Sequence, residues 1–148
     1  MTLDTTAPGR GRPSPPGASP ADDGTNFSLH APGASSVHLV LFESPTAATA
    51  DRVVHLTPAQ HRTGNWWHVH LPDCGHGQVY GWKVFGEDHD ATAGKILLDP
   101  WGRAVAGLDI YGRAAARRRG QSTATALRSV VIDPDLYDWT GEVRPPRP

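Results

Sequence analysis

The chain has 148 residues, a formal net charge of −1 and one cysteine, Cys74. That length fits one domain able to bury a core without staples, and the balanced charge excludes an overall basic field for nucleic acid or anionic membrane. A single cysteine excludes an intramolecular disulfide framework and a thiolate metal cluster, and no stretch approaches the roughly 18 apolar residues of a membrane span.

The N-terminus lacks the basic-then-apolar layout of a secretory leader, so a soluble, cytoplasmic protein is expected. Glycine and proline are abundant, 16 and 14 residues, and no segment shows long helical periodicity. This favours an all-β domain with many loops.

Residues 1 to 22 are rich in Pro, Gly, Ala and Ser. They bury little apolar surface and are expected to stay disordered. Order is expected from Asp23-Gly24, a turn signal before a strand. Phe27 and Leu29 then alternate with polar residues. The run Val37 to Phe42 is apolar on both faces, as in a central strand. Arg52 to Leu56 is a shorter strand candidate. Trp66 to Leu71 places Trp67, Val69 and Leu71 on one face and Trp66, His68 and His70 on the other. Val79 to Phe85 groups Tyr80, Trp82 and Val84. Between these two, Pro72 to Gly77 reads as a hairpin loop, with proline stopping the strand and glycines permitting positive φ.

Lys95 to Leu98 is a short apolar run stopped by Asp99-Pro100. Ala104 to Thr125 reads as a long exposed loop, with one helical turn in the helix-prone stretch Ala114 to Arg119 that Gly112 and Gly120 bracket. Arg128 to Ile132 is the last strand candidate. Residues 136–148 end in Arg144-Pro145-Pro146-Arg147-Pro148, which forms neither regular helix nor central strand. Period-2 patterning with turn residues between predicts an immunoglobulin-like β-sandwich over 23–135.

Several motifs resemble, in order, the N-terminal sandwich of isoamylase-type glycogen debranching enzymes of glycoside hydrolase family 13. They are Asp23-Gly24-Thr25-Asn26-Phe27, Gly64-Asn65-Trp66-Trp67-His68-Val69-His70-Leu71-Pro72, Gly77-Gln78-Val79-Tyr80-Gly81-Trp82-Lys83-Val84 and Lys95-Ile96-Leu97-Leu98-Asp99-Pro100. Ser129-Val130-Val131-Ile132-Asp133 and Tyr137-Asp138-Trp139-Thr140-Gly141-Glu142 continue the series. The resemblance covers about residues 16 to 148. It implies a domain similar to carbohydrate-binding module family 48, preceding a catalytic barrel whose carboxylates are not in this chain. No catalytic residue is therefore carried over. Glycogen binders of that family carry a lysine where this chain has Gly81, and a tryptophan just after the position of Gly86. The loop from Gly86 to Lys95 is shorter than in many debranching enzymes, and the run Arg117 to Arg119 has no counterpart.

Trp66, His68 and Lys83 are the candidate glucan contacts. Trp66 stands out because alternation turns it away from Trp67. Trp67, Tyr80, Trp82 and Trp101 read first as core or inter-domain packing, since large aromatics dominate small sandwich cores. Trp101, Val105 and Trp139 are the candidate contacts with a catalytic domain. His68, His70, Cys74 and His76 have no carboxylate at a matching spacing, so no metal and no cofactor is assigned, and polar cover of a solvated sheet face is expected instead. Glu87, Asp88 and Asp90 read as a solvated turn rather than a glycosidase pair. Arg113 and Arg117 to Arg119 lack the aromatic interleaving of a nucleic-acid site.

The expected function is that of the non-catalytic N-terminal domain of an α-1,6-glucan debranching enzyme, with a barrel as partner. Two alternatives stand beside it: an independent binder of α-glucan such as glycogen or starch, and an interaction domain with no sugar role.

Overall fold

The computed structural model describes residues 7–147. Its strands are β1 (Gly17–Ala21), β2 (Gly24–His30), β3 (Ser36–Phe42), β4 (Arg52–Leu56), β5 (Arg62–Thr63), β6 (Trp66–Leu71), β7 (Val79–Phe85), β8 (Ala104–Ala106) and β9 (Arg128–Val130). Two short helices, α1 (Pro58–His61) and α2 (Arg113–Arg117), lie in the connections. One sheet runs β1-β2-β6-β5 and the other β4-β3-β7-β9-β8. Every pairing between these strands is antiparallel.

The two sheets bury their facing sides against each other, giving the expected all-β sandwich. Phe27 and Leu29 of β2 and Trp67, Val69 and Leu71 of β6 meet Val37, Leu39 and Leu41 of β3 and Tyr80, Trp82 and Val84 of β7. Alternation along each strand delivers one apolar row to the core. Phe27 sits edge-on to Tyr80 at 5.0 Å and to Trp82 at 6.5 Å, the geometry aromatic quadrupoles favour. The doubly apolar β3 lies between β4 and β7, and its outward Val40 and Phe42 are buried in a second cluster with Val79, Ile96 and Ala126.

Three sequence expectations are corrected. The disordered span of 1–22 does not hold for its described part, residues 7–22. β1 pairs with β2 from Gly17↔Ser28 to Ala21↔Gly24. Ahead of it, residues 9–14 form a strap across the outer face of the first sheet. Gly9 bridges His70 through both backbone groups. The Asn26 side chain accepts from Arg12 N–H at 2.8 Å and donates to Arg12 C=O at 3.0 Å, and Ser28 Oγ donates to Pro13 C=O at 2.6 Å. Polar strand side chains thus order a segment with almost no apolar content. Residues 1–6 lie outside the described residues.

The turn 72–77 is not a hairpin loop. β6 and β7 belong to different sheets, so this segment crosses the sandwich. It is tied at both ends: Thr25 Oγ donates to Cys74 C=O at 2.9 Å and Gly77 N–H to Val131 C=O at 2.8 Å. The third correction is β8, which puts Ala104–Ala106 in the sheet rather than in the long loop.

Candidate functional site

The candidate inter-domain side chains are all exposed. Trp101 is 58% exposed, Val105 51% and Trp139 68%. The position of Trp101 follows from a buried network behind it. Tyr80 Oη donates to Asp99 Oδ2 at 2.7 Å, Asp99 N–H donates to Ser129 Oγ at 3.0 Å, and Trp101 N–H donates to Asp99 Oδ1 at 2.9 Å. The Asp99-Pro100 turn is thereby pinned to β7 and β9, and the indole is held outward. Burial, and then the Asp99 charge, push the Tyr80 phenol far above its ordinary range, so it remains a donor.

Gly17, with φ +85°, lies directly beneath Trp101. A Cβ there would stand 3.0 Å from the Trp101 Cβ and carbonyl oxygen. Trp101 therefore sits where β1, the edge of one sheet, approaches the connection to β8, the edge of the other. Val105 faces Ser129 across the β8–β9 ladder. Arg103 Nη1 donates to Ile132 C=O at 3.2 Å, joining this edge to the departing chain. In that chain Tyr137 and Trp139 pack edge to face at 4.4 Å, and Tyr137 Oη donates to Glu142 Oε1 at 2.5 Å.

The candidate glucan contacts do not converge. Trp66 is half-buried on the outer face of β6 and packs against His30, with ring centroids 4.8 Å apart. The two make a small ring ledge at one end of the first sheet. His68 is corrected as a surface contact. It is 1% exposed, because the strap covers it. Its Nδ1 lies 2.7 Å from Arg10 C=O and its Nε2 2.8 Å from Thr63 Oγ. A carbonyl only accepts, so Nδ1 carries a proton and donates to it. His70 likewise lies against the strap, so the face expected to be solvated is covered.

Lys83 lies on the other sheet's outer face, directly opposite His38 of β3. It lines a shallow groove of about 260 Å³ with Val40, Val53, Thr49, Gln121 and Thr123. His38 Nε2 and His55 Nδ1 are 3.0 Å apart beside it. Burial, then His55 and Lys83, hold His38 below the ordinary imidazole range. Gly81 is filled from outside. A Cβ there would lie 2.4 Å from Ile96 Cγ2. Glu87, Asp88 and Asp90 are exposed, as expected of a turn. Among the described residues no group of three or more metal-ligating side chains comes together, and no helix is long and apolar enough to cross a membrane.

The described residues form an all-β sandwich with a pinned aromatic edge. Residues 15–102, more than half of the chain, match the family Carbohydrate-binding module 48 (Isoamylase N-terminal domain), and the chain belongs to that family. It is 35% identical over 145 residues to isoamylase SU1, chloroplastic, of Zea mays, covering 90% of this chain and 18% of that protein. It is 34% identical over 148 residues to a glycogen debranching enzyme of Dickeya chrysanthemi, covering 93% and 21%. The fold matches part of a pullulanase from Bacillus acidopullulyticus with a TM-score of 0.60 at 19% identity, over 86% of this chain and 13% of that one. The chain thus spans about a fifth of the length of the curated relatives it matches.

Proposed function

We propose that this chain acts as the non-catalytic N-terminal domain of an enzyme that hydrolyses α-1,6 branch points of glycogen-type glucans, in the cytoplasm. The names of its relatives and the short share of their length that it spans support this reading. The observation that carries it is the edge of Trp101, Val105 and the segment around Trp139. Trp101 and Val105 are exposed although Asp99, Tyr80, Ser129 and Arg103 fix the backbone beneath them, and Trp139 is exposed in the segment that follows β9. Exposed apolar groups on a pinned backbone mark a contact surface, and a catalytic domain is the partner the family supplies. The test is to mix the chain with the catalytic domain of a related debranching enzyme that lacks its own N-terminal sandwich. Sedimentation should report a complex that Trp101→Glu and Val105→Glu abolish while leaving the fold intact. A complex indifferent to both substitutions refutes this edge, and no complex at all removes the main support for the reading.

The ring ledge of Trp66 and His30 favours a second reading, in which the domain holds α-glucan itself. Aromatic faces are the usual platform for glucose rings, and the family is one of carbohydrate-binding modules. Ile96 over Gly81 weighs against the opposite sheet as the platform. Retardation in a native gel containing glycogen, lost in Trp66→Ala, is the expected result. Equal mobility with and without glycogen would exclude it.

A further inference from the structure

A groove of about 310 Å³ lies between residues 92–98 and 111–127, on the covered face of the five-stranded sheet. Seven of its ten lining residues are apolar, among them Leu98, Tyr111 and Leu127, and Thr92 and Ser122 contribute hydroxyls. The tenth residue is Lys95, which is 8% exposed. Its ammonium donates to Ala115 C=O of α2 at 3.1 Å. Among the described residues no carboxylate lies within 4 Å of it. An ammonium carries three N–H donors and no acceptor, and a buried charge is stable only when paired and hydrogen-bonded. One neutral carbonyl satisfies one donor and leaves two N–H groups for a ligand. The exposed arginines of α2, Arg113 and Arg117, add to the positive field. A concave apolar site with a few convergent polar groups is the form small-ligand sites take.

From this we infer that the groove binds a small organic carboxylate with an apolar body. The carboxylate would accept from the free Lys95 N–H groups, and the body would lie along Leu98, Tyr111 and Leu127. The inference does not depend on the debranching assignment.

The test uses the whole chain and hexanoate as probe, followed by backbone amide NMR, with hexan-1-ol as the neutral control. Hexanoate should give saturable shifts confined to residues 92–98 and 111–127, and hexan-1-ol should bind about tenfold or more weakly, the loss of one charge-assisted contact. Lys95→Met should weaken hexanoate by a similar factor without weakening hexan-1-ol. Because Lys95 also anchors α2, Leu98→Glu provides a second variant. Leu98 is 37% exposed at the groove mouth, so its replacement preserves the fold while opposing an anion. It should weaken hexanoate selectively. Absence of saturable shifts, shifts elsewhere on the domain, or equal binding of acid and alcohol would each overturn the inference.

Discussion

Arg128 is fully buried without a carboxylate partner within 4 Å among the described residues. Its guanidinium donates to four backbone carbonyls: Ser44 at 3.2 Å, Pro45 at 3.0 Å, Thr123 at 2.9 Å, and Ala47. It also lies over the Phe42 ring, 3.9 Å from the centroid. One side chain thus fastens the loop after β3 and the segment before β9 to the sheet. Burial lowers its proton affinity, yet a guanidinium stays charged at any ordinary pH. Arg128→Met keeps the apolar stem and removes every donor. Hydrogen bonds to a charged group contribute about 1.5–3 kcal/mol each. The carbonyls are near the surface and recover some water, and the variant no longer desolvates a cation. Carbonyls left without a donor cost about 1–3 kcal/mol each where water does not reach them, and partial rehydration brings the total to about 3–5 kcal/mol. At about 2–4 °C per kcal/mol for a domain of this size, Tm should fall by roughly 6–20 °C. Urea unfolding followed through the buried Trp67 and Trp82 measures the loss directly. Arg128→Lys should recover only part, since an ammonium cannot span four carbonyls in a planar fork. A loss below about 1 kcal/mol in Arg128→Met would refute the clamp.

Three further outcomes follow from the geometry. Gly81→Ala drives a Cβ to 2.4 Å from Ile96 Cγ2 and should cost about 1–3 kcal/mol. Ile96→Ala in the same chain should recover much of it, a coupling that a double-mutant cycle reads. Tyr80→Phe deprives buried Asp99 of its hydroxyl donor and should cost about 1–3 kcal/mol in urea unfolding. Because the folded phenol is raised above its ordinary value of 10.0, native Tyr80 stability is complete below pH 10 and falls above it, a slope the variant should lose. His61 is held below 6.5, first by burial and then by His68, and its Nδ1 accepts from Thr57 N–H at 3.0 Å. The unfolded chain therefore binds the extra proton first, so stability is complete above about pH 6.5 and falls as pH drops below it. Thermal melts from pH 8 to 5 should show that fall, and His61→Gln should reduce it, leaving the part that His38 contributes.

The core was legible because its signal is local. Period-2 alternation set Phe27, Trp67, Val69, Tyr80 and Trp82 facing inward, and all five are buried. The double-sided apolar pattern of Val37 to Phe42 announced a central strand. What stayed hidden depends on partners distant in sequence. β1 reads as loop because Pro20 and small residues carry no alternation, yet an edge strand tolerates proline. The strap is ordered by Asn26, Ser28 and His68, side chains that look like solvent cover until the segment they bind is in place. β8 consists of Ala104, Val105 and Ala106, too short and small to register. In sequence Asp99-Pro100 marks a stop, while in the fold the Asp99 carboxylate fastens the backbone under Trp101. Nothing at Gly81 indicates that Ile96 occupies the space above it.

These covered surfaces bear on function. The strap occupies the outer face of β2 and β6, and Ile96 and Arg128 with its captured loop cover much of the outer face of β3 and β7. The chain itself therefore fills most of the broad surface a sandwich could offer to an extended glucan. Openings include the Trp66 ledge, the Lys83 groove, the Lys95 groove, a polar groove beside the strap lined by Arg10, Arg12 and His70, and the edge at Trp101 and Val105. Of these, the edge presents the largest exposed aromatic, Trp101, on a backbone fixed by buried hydrogen bonds. Such a surface suits a folded partner, which supplies shape and excludes water over a wide contact, better than a flexible sugar chain. That is why the inter-domain reading precedes the sugar-binding one, and why Trp101→Glu is more informative than Trp66→Ala.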